Sequence, residues 1–448
     1  MKDDGTLAMF RAGGKEAEVE ELFRRIAASS VRLDDVEIVC AAPDYPFLIW
    51  QKAVRHDWAV TLSAGVPVTA TRPARAIAAL FDWIERGYPA SRLRRLFQSG
   101  DVTLRRDDGL TSGRAARLLM RSEAAWGRST YDAALRGLAA ADRERAADSE
   151  VDEDAQGRAR ERAAEVDGLR IWIEHLLTLV PEPGKGGTVA FDALLRGVAR
   201  FAADYARRSN PLDNLSASAI GDALEELKLL GEIRRPMGEA LRLIRSALEG
   251  LTAGADRARP GHLHVTSIAR AGHAGRSHTY VVGLEEGRVF PAPVEDAVLL
   301  DAEREAIGGA LPTSGDRATE AVFGVVSRLA AIGAATGDGG TTTLSYSCRD
   351  LRQYRDTFPS WLLLQAFRLG RPGETTYADL IARLAEPASA VPSTPDAAVS
   401  DSGWWLANLH VGGLAETPLL EVFPSLRRGL KAEQARESDL FTAYDGAV

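Results

Sequence analysis

Apolar positions change their period twice along the chain, and each change marks a change of architecture. Residues 6–10 (Thr-Leu-Ala-Met-Phe) form a short apolar run. Over 14–29, Ala17, Val19, Leu22, Phe23 and Ile26 recur near helical spacing, with acids in the first turns, where they complement the positive end of a helix. Residues 34–43 predict a strand running into a loop, 45–57 a helix, and 58–65 a strand ended by Gly65. Strands alternating with helices predict a parallel sheet with helices packed on it.

From about residue 72 to 250 strand-like runs nearly vanish. Leu, Ala, Arg and Glu recur at three and four through 74–87, 168–180, 190–208 and 220–233, which predicts a helical domain. Residues 141–168 are almost all charged and predict a solvated helix or a mobile connector. From 262 the alternation returns, with strands predicted over 262–269, 279–284 and 341–347 and helices over 318–335 and 360–370. The expected fold class is therefore α/β: a parallel-sheet domain interrupted by a large all-helical insertion, plus a partial C-terminal region. The expected divisions are 1–71 and 259–358 for the two parts of the sheet domain and 72–258 for the insertion. Residues 359–448 hold a helix, a Pro/Ser/Ala-rich linker at 386–403 and a terminal region. Trp404 and Trp405, after the linker, are expected to anchor a C-terminal subdomain.

Composition narrows the class. A chain of 448 residues predicts two or three domains. Hydrophobic content of 45%, charged content of 26% and mean hydropathy of −0.14 describe a soluble globular protein. Cys40 and Cys348 are the only cysteines, so there is no disulfide framework and no four-cysteine zinc or iron–sulfur site. They read as reduced core thiols. No run of 18 apolar residues occurs and acids crowd the N-terminus, so neither membrane span nor signal peptide is expected, and the expected location is cytoplasmic.

Net charge is −8, which by itself calls for no nucleic-acid partner. Local charge says more. Residues 71–121 hold eleven arginines against five acids. Arg92, Arg94 and Arg95 stand out within Ser91–Phe97 as candidates for duplex phosphates; the alternative is a solvated helix face. Trp83, Phe97 and Trp126 are expected in the core rather than as base-stacking platforms.

The most distinctive stretch is 279–291, Thr-Tyr-Val-Val-Gly-Leu-Glu-Glu-Gly-Arg-Val-Phe-Pro. A buried strand stops at a turn built from Gly283, Glu285, Glu286 and Gly287, with Phe290 and Pro291 pinning the exit. This stretch, preceded by Thr266, resembles the second motor domain of superfamily 1 helicases of the UvrD type. It resembles most the AddB/RecB/RecC group of ATP-dependent helicase–nuclease subunits. The resemblance continues through Glu320 to Arg328, through Leu344-Ser345-Tyr346-Ser347-Cys348-Arg349-Asp350, and through Pro359-Ser360-Trp361-Leu362. Residues 10–26 are similar to the segment that opens this domain, so the likeness covers roughly residues 7–370.

The resemblance implies a RecA-like fold and a part in ATP-dependent helicase and nuclease work on DNA in double-strand-break repair. It implies ATP and Mg²⁺ in the full-length assembly, with none held by this chain alone. It implies DNA and a partner helicase–nuclease subunit as partners. By position it makes Arg328 a nucleotide sensor, and Thr266 and Arg270 contacts to DNA or to the cleft. The turn becomes a hinge between a core strand and a ligand-facing loop. Residues 441–446 resemble the segment that precedes a PD-(D/E)XK nuclease region, so both ends of the chain read as truncations.

The departures are specific. No GxxxxGK[ST] loop exists; the one Gly-Lys beside other glycines, in 181–188, has Leu179 where the first Gly belongs. Ile268, Ala271 and Ala274 stand where the helicase motif has His, Lys and Glu, and 39–44 lack the arginine of an earlier motif. The chain alone is not expected to hydrolyse ATP. Arg328 also reads as an exposed helix arginine. An alternative is a RecC-like scaffold that binds DNA and a partner motor. A second alternative is a metallohydrolase built on His262 and His264 with His273 and His278, although no carboxylate is obviously placed there and no metal is expected. No GxSxG elbow occurs.

Overall fold

The computed structural model describes residues 5–104, 110–148, 152–184, 186–231, 233–290, 292–336, 339–370, 373, 376–410 and 420–444. The chain divides into two compact units, one formed by Met1–Ser63 with Arg257–Val448, the other by Ala64–Asp256. The first unit opens with β1 (Leu7–Ala12), α1 (Lys15–Ser29), β2 (Val36–Cys40), α2 (Tyr45–Arg55) and β3 (Val60–Leu62). The second carries β4 (Val66–Pro67), α3 (Arg72–Glu85), α4 (Ala90–Ser99), α5 (Ser112–Arg121), α6 (Thr130–Ala147), α7 (Glu153–Thr178) and β5 (Thr188–Ala190). It continues with α8 (Phe191–Asp204), α9 (Pro211–Leu227), β6 (Arg234–Pro236), α10 (Met237–Glu249) and β7 (Thr252–Ala253). The first unit resumes with β8 (Leu263–Ser267), β9 (His278–Val282), α11 (Asp301–Ile307), α12 (Ser314–Thr336) and β10 (Thr341–Ser347). After β11 (Arg349–Asp350) and β12 (Arg355–Asp356) come α13 (Trp361–Gly370), α14 (Tyr377–Arg383), α15 (Asp401–His410) and α16 (Pro424–Arg436).

The first unit is mixed α/β around a six-stranded parallel sheet, in the order β1-β10-β9-β2-β8-β3. β2 is central: Val39 pairs with Val281 on one side and Thr266 on the other. All five residues of β2 are buried, as expected of a parallel strand covered on both faces. Val39, Val281, Leu344 and Tyr346 meet Val325 and Ile332 of α12 and Leu362, Leu363 and Phe367 of α13 in one core. No helix among the described residues is long and apolar enough to cross a membrane.

Two expectations are corrected here, and a third is decided between its alternatives. The second unit is not all-helical: β4 pairs antiparallel with β7, and β5 with β6. Strands of two or three residues are too short to carry a readable period. The charged run 141–168 takes the helical one of its two expected forms: residues 141–147 belong to α6 and 153–168 to α7, two helices packed in opposite directions. Leu135, Ala139, Ala159, Ala163 and Val166 are buried, while Arg162 pairs with Asp142 at 3.2 Å and Arg143 pairs with Asp167.

The segment 386–403 is not a free linker. Ala388 lies parallel beside Ala12, donates its N–H to Arg11 O at 2.8 Å and accepts from Gly13 N–H at 2.9 Å. Arg24 of α1 donates to the carbonyls of Ser389 and Ala390. β1 is an edge strand with unpaired backbone groups, and this segment covers it.

Candidate functional site

β2, β9 and β10 lie side by side and parallel, so their carboxyl ends open at one place, where ligands bind in open α/β sheets. β9 stops at Gly283, whose φ of 80° is left-handed. A Cβ on Gly283 would lie 2.9 Å from the Tyr45 ring, so glycine is required twice over, by conformation and by space. The turn that follows is held on several sides. Leu284 N–H donates to Ser345 O at 3.1 Å, Glu286 N–H to Phe358 O at 2.8 Å, and Ser360 N–H to Leu284 O at 2.9 Å. The Glu286 carboxylate accepts from Trp361 N–H at 3.1 Å, at the start of α13. Phe290 meets Trp361 edge-on; Pro291 lies outside the described residues.

Under this turn sits a buried acid pair. Glu18 reaches in from α1, fully buried. Its Oε1 accepts from Gly283 N–H at 3.0 Å and from Ser345 Oγ at 2.6 Å, and its Oε2 lies 2.6 Å from the Tyr45 hydroxyl. That hydroxyl is also 3.2 Å from Glu285 Oε1. Glu285 Oε2 is buried without a hydrogen-bond partner among the described residues, with Arg288 Nε 3.9 Å away. Burial, then the charge of Glu285, pushes the Glu18 pKa up to about 7. Burial likewise raises Glu285, against the pull of its own backbone N–H and of Arg288.

Counting protons explains the geometry. A phenol has one proton to donate, and ionised carboxylates only accept. Tyr45 can therefore donate fully to only one of the two acids. With its pKa pushed up to about 7, Glu18 is part-protonated around neutrality, and a proton on Glu18 would let it donate to Tyr45 and free the phenol proton for Glu285. Outside the cluster, Asp44 pairs with Lys15, and with Arg288 at 3.4 Å, so α1, α2 and the turn are joined by charge as well.

Sequence reading found Gly283, Glu285, Glu286 and Gly287 but missed Glu18, Tyr45 and Ser345. One signal was present. Glu18 stands four and eight residues before Leu22 and Ile26, on the apolar stripe of its helix. By sequence alone it is equally an acid suited to the first turn.

The other expected residues lie apart. Thr266, next to last in β8, is buried and accepts from Ser63 Oγ at 2.8 Å; Arg270 donates to Ser63 O at 3.2 Å. Arg328, on α12, bonds His273 Nε2. The other histidines take separate partners: His262 with Pro260 O, His264 with Thr61 Oγ1 and His278 with Thr341 Oγ1. His262 precedes β8, so it and His264 are not two positions of one strand. Among the described residues no three His, Cys, Asp or Glu are grouped to hold a metal.

Among the described residues, five of the eleven arginines of the basic segment are ion-paired, two of them to acids distant in sequence. Arg72 pairs with Asp213 at 3.1 Å, Arg114 with Glu165 at 2.8 Å and Arg75 with Asp101 at 2.5 Å. Arg86 and Arg92 both pair with Asp82, at 2.6 and 3.2 Å. On α4, Arg95 is exposed and Arg94 half-buried; Arg105 and Arg106 lie outside the described residues. Trp83 and Phe97 are core, as expected, but Trp126 is 67% exposed, which overturns its core assignment.

No protein-family model matches the chain, and no curated protein matches it.

Proposed function

We propose that this chain is the second, RecA-like motor domain of an AddB-type helicase–nuclease subunit, carrying its inserted helical unit and acting on DNA in double-strand-break repair. The observation that carries the reading is the split sheet. β1, β2 and β3 precede the inserted unit, β8, β9 and β10 follow it, and the Gly-Leu-Glu-Glu-Gly turn closes β9 at the carboxyl edge.

The residues present do not form a site for ATP. The sequence lacks a glycine-rich loop ending in Gly-Lys-Ser/Thr, and Arg328 is engaged by His273. No step through ATP or Mg²⁺ is assigned to this chain; its part is to grip DNA and to couple to a motor that supplies the nucleotide site. A second reading, a RecC-like scaffold, is favoured by one observation: the Thr266 hydroxyl, which the motor reading places in the cleft, is buried against Ser63.

The test is DNA affinity and ATP turnover, measured for the chain alone and with a motor subunit added. DNA binding without turnover by the chain alone is expected. Absence of any binding to single- or double-stranded DNA at low salt would remove both readings. In the assembly, Arg328→Ala slows turnover if the domain is a motor half and leaves it unchanged if it is a scaffold.

A further inference from the structure

We propose that Trp126 is a stacking platform for a nucleobase, and that the inserted unit holds single-stranded nucleic acid there; the proposal rests on the nucleic-acid reading above.

The position of this residue is unlike that of the other large aromatics of its unit. Trp83, Phe97, Tyr131, Phe191 and Phe201 are fully buried, whereas Trp126 is 67% exposed. It is exposed without being loose. Its indole N–H donates to Arg86 O at 2.9 Å, and its own carbonyl accepts from Thr130 Oγ1 at 3.1 Å. The turn that carries it is sewn to the turn after α3: Ala90 N–H donates to Ala125 O at 3.0 Å, and Gly127 N–H to Gly87 O at 3.2 Å. Arg128 fixes the far side by donating to the carbonyls of Val180 and Leu177 at 2.8 and 2.6 Å.

The seat of the ring is bare backbone. Gly87 has φ of 77°, and a Cβ there would come 2.7 Å from the indole nitrogen. One edge of the ring therefore rests on a residue that has to be glycine. An indole held this way has already lost its rotamer freedom, so a planar ligand can stack on the open part at little further entropic cost.

The elements that carry the ring hold more cations than acids, which favours a polyanion. Arg86, whose carbonyl holds the indole, shares the single carboxylate of Asp82 with Arg92. Two guanidiniums on one acid keep a net positive charge, and Arg121 adds an exposed one at the end of α5. The other acids here are largely matched: Glu85, beside Arg86, pairs with Arg245 at 3.0 Å and Glu182 with Arg128 at 3.1 Å, which leaves Glu123 to oppose Arg121. An aromatic face for the base beside guanidiniums for the phosphate is the combination that grips single strands without reading sequence.

The test is binding of a labelled single-stranded oligodeoxyadenylate, and of the same oligonucleotide made abasic, by fluorescence anisotropy across a salt series. Trp126→Ala is expected to weaken binding about tenfold with the salt slope unchanged, and Trp126→Phe to stay within about threefold of the wild type. The abasic strand should bind the wild type as weakly as the intact strand binds Trp126→Ala. If Trp126→Ala affects folding, Trp126→Phe and the abasic strand still decide the matter. Equal affinities for wild type and Trp126→Ala would overturn the platform and leave the DNA-binding reading standing. Loss of a protein partner's affinity with DNA affinity intact would overturn it too. No binding by any form removes both.

Discussion

The Tyr45 hydroxyl lies 2.6 Å from Glu18 Oε2, inside the first unit, where neither group meets solvent. The same hydroxyl reaches Glu285, so one phenol ties the first helix to the turn after β9. Buried carboxylates are stable only where donors compensate for lost water, and Glu18 has three: Tyr45, Gly283 and Ser345.

Removing that acceptor leaves the buried Gly283 N–H and Ser345 hydroxyl unpaired, while Tyr45 keeps Glu285. Glu18→Ala is expected to destabilise the first unit by about 3–5 kcal/mol, read from urea denaturation. Glu18→Gln, which keeps an acceptor oxygen and supplies two donors, should cost much less. Equal losses for the two variants would show that packing, not hydrogen bonding, fixes this position.

Stability should depend on pH in a defined direction. An unfolded Glu18 ionises around the ordinary glutamate value of 4.5, while burial holds the proton on the folded residue up to about 7. Between those values the folded state binds more protons, so stability is full below the lower one and falls as pH rises toward the higher. The loss amounts to roughly 3 kcal/mol and is complete above about pH 7. Glu285, raised by the same burial, adds in the same sense. Denaturation midpoints of the wild type and Glu18→Gln across this range check it: the variant's profile should be flatter, and parallel profiles would refute the proton held on Glu18.

Two glycines of the turn should respond differently. Gly283→Ala meets both a left-handed φ and the Tyr45 ring at 2.9 Å, and is expected to cost about 2–4 kcal/mol. Gly287→Ala has φ of 76° but open space around it, and should cost only about 1 kcal/mol. Thermal melting of the pair separates the steric from the conformational part.

The segment over the β1 edge should be removable without unfolding the core. Ala388→Pro deletes the N–H that donates to Arg11 O, at an expected cost of about 1–3 kcal/mol. Limited proteolysis should then cut within 386–399 faster than in the wild type. An unchanged cleavage rate would mean that the hold of Arg24 on Ser389 and Ala390 suffices.

The period of apolar residues determined much by itself. It marked β2, β9 and β10, the helices α1, α2 and α12, and a parallel sheet of mixed α/β type, because burial of one face is written into ten or so neighbouring residues. It marked the turn at Gly283, because a strand that runs into Gly-Leu-Glu-Glu-Gly has to end. What it could not carry was pairing over distance. Glu18 meets Gly283 across 265 residues and Ser345 across 327, contacts set by the order of strands in the sheet. Asp213 and Glu165 quench two arginines of the basic segment from far outside it, in addition to its own Asp82 and Asp101. Trp126 was assigned to the core by its chemistry, and only the docking of two turns on Gly87 put it outside. Local pattern fixes which face of an element is apolar. Which distant acid, donor or glycine meets that face is decided by tertiary packing, because an interaction of a few ångströms has no signature in sequence separation.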